Sequence, residues 1–222
     1  MTADTMVCGP RDHSVDGDTC AHVIKDRASN WVEGTPAVTK CYKHIKNALQ
    51  RLCGKSKIKY MYNDGSKELR KAMRKMGLPT DTSRPYKPQT NGVAERACRH
   101  CKEGTTCTLE QSGFTAPFWN AAMKCWNVIR NASEVHAKTG KTPYEFRQGV
   151  RFPYELIPFG CKITFKLESP RDMEKQPKFS PKAGLQGRMF GYKTEAKPSG
   201  EIYIIERTDL EKAKTAKSLY EG

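Results

Sequence analysis

The amino-terminal half of the chain contains short stretches of apolar residues separated by turn residues. Residues 1–9, 19–25 and 31–38 are each interpreted as a short strand, and the Asp-Gly pair at residues 16–17 is typical of a hairpin turn. Residues 57–62 alternate hydrophobic and polar positions and lead into Asn-Asp-Gly. We therefore predict a three-stranded meander followed by a fourth strand.

Between and after these strands the hydrophobic period changes to that of a helix. Residues 40–53 place apolar side chains at helical spacing and end at a glycine, and residues 66–76 do the same. A third helix is expected from Gly92 to Cys101 or beyond, and further helices at 114–131 and 142–149. The proline-rich residues 79–92 are predicted to form a loop.

Beyond Pro158 the pattern returns to short strands separated by turns rich in proline, glycine and lysine. The strands are expected at 161–167, 185–193 and 201–207, which is typical of a small β-barrel or sheet. The pattern predicts an α/β domain over residues 1–150, a β domain over 156–210 and a tail over 211–222.

The composition adds a basic charge to this picture. The 222 residues include 39 Lys plus Arg against 24 Asp plus Glu, a formal net charge of +15. The excess is spread over both halves of the chain. It fits a nucleic-acid binder, whose phosphate contacts need cations, and it equally fits a soluble protein with a solvated lysine surface.

The sequence has neither an apolar run long enough to cross a membrane nor a signal-peptide pattern at its start. Its nine cysteines are therefore expected to be reduced thiols. Cys98 and Cys101 form a CxxC pair, but a zinc site needs four ligands. We favour buried or idle thiols and expect no structural zinc.

Three acidic residues stand at positions suited to metal chemistry. Asp4 lies on the first strand, Asp64 at the end of the fourth, and Glu95 in the first turn of the third helix. Acids at a strand end and a helix start can converge on one edge of an α/β sheet, where they could share hard divalent cations. Many other triples exist among 24 acids, so this pattern alone does not select them.

Several sequence motifs follow one another in the order found in one family. The most specific is RPYKPQTNGVAER at residues 84–96; the others are Asp4 with CGP at 8–10, DRASNW at 26–31, NDGSKEL at 63–69, GTTCTLEQSGFTAPFW at 104–119, GKTPYEF at 140–146, FGC at 159–161, KFSPK at 178–182 and GRMFGY at 187–192. Together they resemble the retroviral-type integrases of copia-like LTR retrotransposons. The resemblance covers nearly the whole chain.

The resemblance implies a fold and a metal site. The expected fold is α/β, an RNase H-like mixed sheet flanked by helices and followed by a small SH3-like β-barrel. Asp4, Asp64 and Glu95 would be the catalytic metal ligands for two Mg²⁺ or Mn²⁺ ions. Asp26 also follows an apolar strand, but the corresponding position in the family is not catalytic. Asp16 and Asp18 are better interpreted as turn residues.

The resemblance also implies contact with DNA. Arg99 and Lys102 follow Glu95 at i+4 and i+7 and so share its helix face, and Arg96 lies beside it. Cations there could hold DNA phosphates over the acids. The preceding loop and helix start supply further candidate DNA-binding residues: Tyr86, Lys87, Gln89 and Asn91.

The implied activity is metal-dependent 3′-end processing and strand transfer in DNA integration. The expected partners are double-stranded DNA, both element ends and target, and further copies of the chain; the expected location is the nucleus. The chain resembles a fragment of a Pol polyprotein. Two alternatives are a catalytically inactive or domesticated nucleic-acid-binding remnant and an unrelated RNase H-like nuclease.

Overall fold

A computed structural model describes residues 1–54, 58–82, 91–165, 185–193 and 201–206. Of the residues predicted to bind DNA, Tyr86, Lys87 and Gln89 lie outside these ranges, as do residues 83–90 of the predicted loop at 79–92 and the whole predicted tail at 211–222.

The first sheet contains five strands in the order β3-β2-β1-β4-β5. The predicted meander is confirmed, with β1 (Thr2–Val7), β2 (Cys20–Lys25) and β3 (Val32–Ala37) antiparallel to one another. The strand β4 (Met61–Asn63) pairs parallel with β1, and β5 (Thr80–Thr82) pairs parallel with β4. The sheet is therefore mixed, and β1 lies at its centre.

Helices cover both faces of this sheet. On one face lie α1 (Tyr42–Cys53) and α2 (Lys67–Met76), whose apolar side chains pack with Ile24. On the other face lie α3 (Gly92–Ser112) and α4 (Trp119–Ser133), which pack with Val23. The short helix α5 (Pro143–Gln148) begins at a capping box formed by Thr142 and Glu145. The predicted mixed sheet flanked by helices is confirmed.

Three element boundaries differ from the predictions. The strand β4 has three residues instead of six, and β5 lies where a loop was predicted. The helix predicted to begin at residue 114 begins at Trp119, after a one-turn 3₁₀ helix at Ala116–Phe118. Pro117 fits the start of a helical turn because it needs no hydrogen-bond acceptor for its nitrogen.

A second sheet follows α5 in the chain. Its antiparallel strands are β6 (Lys162–Phe165), β7 (Leu185–Tyr192) and β8 (Ile202–Glu206), with β7 in the middle. The sheet packs on α4 through a shared cluster that includes Cys125, Phe159 and Met189. These strands confirm the predicted change to β structure, whereas closure into an SH3-like barrel remains a prediction.

No helix in the described part of the chain is long and apolar enough to span a membrane.

Candidate active site

The parallel pairing of β1 with β4 brings two of the three predicted acids together. Thr2 pairs with Tyr62 and Ala3 with Asn63, so the next residues along the two strands are Asp4 and Asp64. Neighbouring strands lie about 4.8 Å apart, which leaves these two residues side by side. The negative charge of Asp64 accordingly raises the pKa of Asp4.

The Asp4 carboxyl is partly buried, and burial is the main reason why its pKa is raised. The Thr5 N–H donates to Asp4 Oδ1 at 2.7 Å and lowers the pKa, as do the amide of Asn91 and the charge of Lys40. Burial and Asp64 outweigh these contacts. A bound cation would reverse that balance, because it favours the ionised form of both acids.

Asp64 is held in a tight turn between β4 and α2. Its Oδ1 accepts the Ser66 N–H at 3.0 Å, and Asn63 Oδ1 accepts the Gly65 N–H at 2.8 Å. Asn63 also donates to Thr80 Oγ1 at 2.8 Å, which fastens the turn to β5. Gly65 has φ of 78°, a conformation that favours glycine. The motif Asn-Asp-Gly-Ser therefore fixes Asp64 just before the positive end of α2.

Glu95 reaches the same region from the first turn of α3, where it is exposed. Cys98 lies one turn further along the helix. The pKa of the Cys98 thiol is raised by burial and also by the charges of Asp4, Asp64 and Glu95, with a contribution from Cys101. The charges of all three predicted acids therefore act on one thiol.

Asn91 precedes α3 but does not cap it. Its side chain accepts no hydrogen bond from the helix N-terminus; instead Nδ2 donates to Asp4 Oδ2 at 3.4 Å. Its Oδ1 is buried and has no hydrogen-bond partner among the described residues. The residue that would ordinarily stabilise the helix start is thus turned toward the acids.

Buried polar atoms without partners are concentrated around this site. Within the described residues there are five such side-chain atoms, and three belong to Thr2, Ser66 and Asn91. Thr2 shares a face of β1 with Asp4, Ser66 follows Asp64 by two residues, and Asn91 contacts Asp4. An unpaired buried polar group costs about 1–3 kcal/mol, and such groups are tolerated where a ligand can satisfy them.

The oxygen donors fit a hard divalent cation, which prefers carboxylate and amide oxygens. Asp4 and Asp64 would hold it, with Asn91 Oδ1 beside them. In the described ranges, however, no three His, Cys, Asp or Glu side chains are grouped closely enough to hold a metal ion. Glu95 would have to approach the pair to complete the predicted triad.

The three predicted cations of α3, Arg96, Arg99 and Lys102, are all exposed and follow one another at i+3 spacing. The charge of Lys102 acts on the Cys8 thiol just past β1, and the charge of Arg96 acts on Lys25 at the end of β2. Their contact with DNA stays a prediction.

Two residues at the site were missed by the sequence prediction. Cys98 follows Glu95 at i+3, so helical spacing could have placed it there. Lys40 lies between β3 and α1, and its charge lowers the pKa of Asp4. No local pattern marks Lys40, because its proximity depends on how the strands are ordered.

The other acids considered in the sequence analysis are held in turns, and Cys101 of the CxxC pair lies in the core. Asp26 Oδ2 accepts the Ser29 hydroxyl at 2.6 Å within the β2–β3 turn, while Asp16 and Asp18 both accept from Asn120 Nδ2. The Cys101 side chain is fully buried in the α3 core cluster, where burial raises its pKa to about 12.

Comparison with solved structures finds catalytic core domains of retroviral integrases. The catalytic core domain of BIV integrase is 20% identical over 67% of this chain and 92% of that domain, with a TM-score of 0.48. The HTLV-2 integrase catalytic core domain, solved in complex with magnesium in a trimeric form, is 17% identical over 65% of this chain and 92% of that domain, with a TM-score of 0.49. No protein-family model matches the sequence. No curated protein matches it either.

Proposed function

We propose that this chain is an integrase catalytic domain of a copia-like LTR retrotransposon, which cleaves and joins DNA strands by metal-dependent phosphoryl transfer. The observation that carries the proposal is the parallel pairing of β1 with β4, which sets Asp4 beside Asp64, with the charges of both and of Glu95 acting on the Cys98 thiol. The ordered sequence motifs around these three residues support the same assignment.

Phosphoryl transfer requires positioning and charge stabilisation rather than a protein nucleophile. Asp4, Asp64 and Glu95 would hold two Mg²⁺ or Mn²⁺ ions, which when bound activate the attacking oxygen and stabilise the leaving 3′ oxygen. Asn91 orients Asp4 through its amide, and the Asn63 turn orients Asp64. Arg99 and Lys102 would hold backbone phosphates on the Glu95 side of α3.

The assembly and the setting of this activity are part of the same proposal. The working form would be a multimer that binds element ends and target DNA in the nucleus. The first sheet and its helices would act as the catalytic core, and the second sheet would correspond to the SH3-like domain implied by the sequence motifs.

The decisive experiment is strand transfer with a short duplex that mimics an element end, with Mg²⁺ or Mn²⁺ present. Asp4→Asn, Asp64→Asn and Glu95→Gln should each lower the rate at least about 100-fold, since each removes a charge that stabilises the transition state. Asp26→Asn is the matched control, because Asp26 lies outside the acid site; its rate should stay within about twofold of the unsubstituted protein. Strand transfer that persists in Glu95→Gln contradicts the assignment.

One observation favours a second candidate function, nucleic-acid binding without catalysis: the described acids are not grouped as a complete metal site. A salt-sensitive DNA complex that forms equally well in the unsubstituted protein and in Glu95→Gln, with no strand transfer in either, would support that function instead. Titration with Mn²⁺ separates the two, because only an active site should lose metal affinity in Asp4→Asn.

A further inference from the structure

A cavity of about 320 Å³ lies between the carboxyl ends of α1 and α2. Its lining includes the buried side chain of Cys53 and the half-buried side chains of Ile58, Met76 and Leu78. Gln50, which also lines the cavity, is exposed, so the cavity opens to solvent. Pockets that bind ligands have volumes of about 300–1,000 Å³, so this one is large enough to take an apolar side chain of a partner.

The cavity lies away from the three acids. Two of its lining residues stand at the start of parallel strands: Ile58 shortly precedes β4, and Pro79 directly precedes β5. The Met61 N–H donates to the Pro79 carbonyl at 2.9 Å, so the two strands begin side by side at the cavity. Asp64, by contrast, directly follows the carboxyl end of β4. A ligand in the cavity would therefore leave the acids free.

The two helix ends that form the cavity carry three exposed cations. Arg51 lies in the last turn of α1, and Arg74 and Lys75 lie in the last turn of α2. None of them forms a salt bridge with a described residue, and neither α1 nor the last two turns of α2 contain an acid. Each helix end carries only about half a negative charge, so the three cations leave a positive surplus beside the cavity.

The charge and the apolar lining together select one class of ligand. A second copy of the chain, with its net charge of +15, would be repelled from this basic face. A nucleic acid would satisfy the cations, but it offers no large aliphatic group to bury, and the described lining has no aromatic ring on which a base could stack. An acidic peptide segment satisfies both features, because an apolar side chain can fill the cavity while carboxylates on either side reach the cations.

We propose that this cavity and its cations form a docking site for an acidic segment of a partner protein, in which one large apolar side chain is flanked by Asp or Glu residues. The apolar side chain enters the cavity, and the flanking carboxylates bind Arg51, Arg74 and Lys75. The negative ends of the two helices keep the carboxylates out of the cavity itself, which fixes the order of apolar and acidic residues in the segment. The site goes beyond the proposed function and does not depend on it.

Fluorescence anisotropy with two labelled peptides tests the site in the full chain. One peptide has a Leu-Phe pair between two Asp-Glu pairs, and the other has Ser-Ser in place of Leu-Phe and the same charge. The unsubstituted chain should bind the Leu-Phe peptide at least about 10-fold more tightly, because a large apolar side chain is buried. Gln50→Trp, which fills the opening of the cavity, should abolish this difference. Arg74→Gln/Lys75→Gln should weaken the binding of both peptides about 3–10-fold.

Two matched controls should leave both affinities within about twofold of the unsubstituted chain. Asn47→Trp adds the same bulk to an exposed position of α1 that does not line the cavity, and Lys138→Gln/Lys141→Gln removes two exposed cations beyond α4.

Equal affinities of the unsubstituted chain for the two peptides would disprove the site, as would a difference that persists in Gln50→Trp. If a blunt DNA duplex loses as much affinity as the Leu-Phe peptide in Arg74→Gln/Lys75→Gln, the face binds nucleic acid and the proposal is wrong. Strand transfer is measured separately: its absence in a chain that binds the Leu-Phe peptide as expected would refute the proposed function and leave the docking site supported.

Discussion

At the scale of single residues, the most consequential buried group outside the site is His22. Its side chain is 2% exposed, Nδ1 lies 3.1 Å from Thr5 Oγ1, and Nε2 has no partner among the described residues. Burial lowers the pKa of His22 to about 4, with contributions from the charges of His44 and Lys40. The folded protein therefore holds this imidazole neutral at ordinary pH.

This lowered pKa predicts acid sensitivity. As the pH falls, the unfolded chain binds a proton at His22 near pH 6.5, whereas the folded chain does so only near pH 4. The free energy of unfolding therefore has its full value above about pH 6.5 and decreases as the pH falls toward about 4. The difference corresponds to about 3 kcal/mol of unfolding free energy. Urea unfolding at pH 7.5, 5.5 and 4.5 measures it.

His22→Gln should remove most of this decrease over the same pH range, because glutamine does not titrate. The control is His13→Gln, an exposed histidine whose replacement should leave the pH dependence intact. An equal decrease in the unsubstituted protein and in His22→Gln would show that other groups cause it.

The candidate site shows how far residue-level prediction reaches. The strand end and the helix start were sufficient to locate Asp64 and Glu95 on their elements, because the Asn-Asp-Gly turn and the glycine at residue 92 mark both boundaries. The proximity of Asp4 to Asp64 depends on β4 lying parallel to β1, which the pattern along one strand does not encode.

At the scale of secondary structure, the outer edge of β3 is covered by two asparagines on α4. Asn127 accepts the Gly34 N–H at 3.1 Å and donates to the Gly34 carbonyl at 2.8 Å. Asn131, one turn later, makes the same two contacts with Val32 at 3.1 and 2.8 Å. The pair satisfies the free edge at alternate residues, as a neighbouring strand would, and so protects it from pairing with other chains.

Asn131→Asp should therefore destabilise the protein and expose this edge. A buried carboxylate replaces the amide that donates to Val32, at a cost of about 3 kcal/mol. Urea unfolding measures the loss, and light scattering at equal concentration should show increased association. Asn47 is an exposed asparagine on α1, so Asn47→Asp controls for the added charge and should change neither the unfolding free energy nor the light scattering. Unchanged stability in Asn131→Asp would contradict the edge role.

The contact between α3 and α4 depends on a small residue at Gly104. A Cβ atom built there would lie 2.0 Å from Trp126 Nε1, far below contact distance. Gly104→Ala should lower the unfolding free energy by about 1–3 kcal/mol, because the strain exceeds the gain in helix propensity. Gly92→Ala on the same helix meets no atom within 4 Å and should be neutral or slightly stabilising. A stabilised Gly104→Ala would show that Trp126 moves freely.

The elements that sequence patterns missed share a physical reason. The strand β5 consists of Thr80, Asp81 and Thr82, which lack an apolar pattern; it is a strand only because β4 offers it hydrogen bonds. The carboxyl half of α3, whose end the pattern left open beyond Cys101, contains Thr105 and Thr108, whose hydroxyls donate to carbonyls four residues earlier. Such contacts compensate for weak helix propensity only once the helix is packed.

At the scale of the whole molecule, α4 packs on both sheets: it contacts the first sheet through Met123 and the second through Cys125. Phe159, Met189 and Tyr192 pack with Ala122 and Cys125 of α4. The connecting residues are packed as well: the Tyr192 hydroxyl accepts the Ile157 N–H at 2.6 Å and donates to the Ile157 carbonyl at 2.9 Å. The sequence change near residue 156 coincides with the change from helices to strands, and the domain boundary there stays a prediction.

Because α4 packs on both sheets, we predict that the two sheets unfold together. All three tryptophans of the chain, Trp31, Trp119 and Trp126, lie outside the second sheet, so their fluorescence reports on the first sheet and its helices. Met189 on β7 is fully buried and lies 4.0 Å from Cys125 Sγ. Met189→Ala should nevertheless lower the midpoint of the tryptophan transition in urea, with a loss of about 2–5 kcal/mol. The side chain of Tyr203 on β8 is 48% exposed, so Tyr203→Ala should leave the midpoint of the tryptophan transition nearly unchanged. An unshifted tryptophan transition in Met189→Ala would mean that the second sheet unfolds independently. A cavity in β7 can destabilise the region around the tryptophans only if both sheets unfold in one cooperative transition.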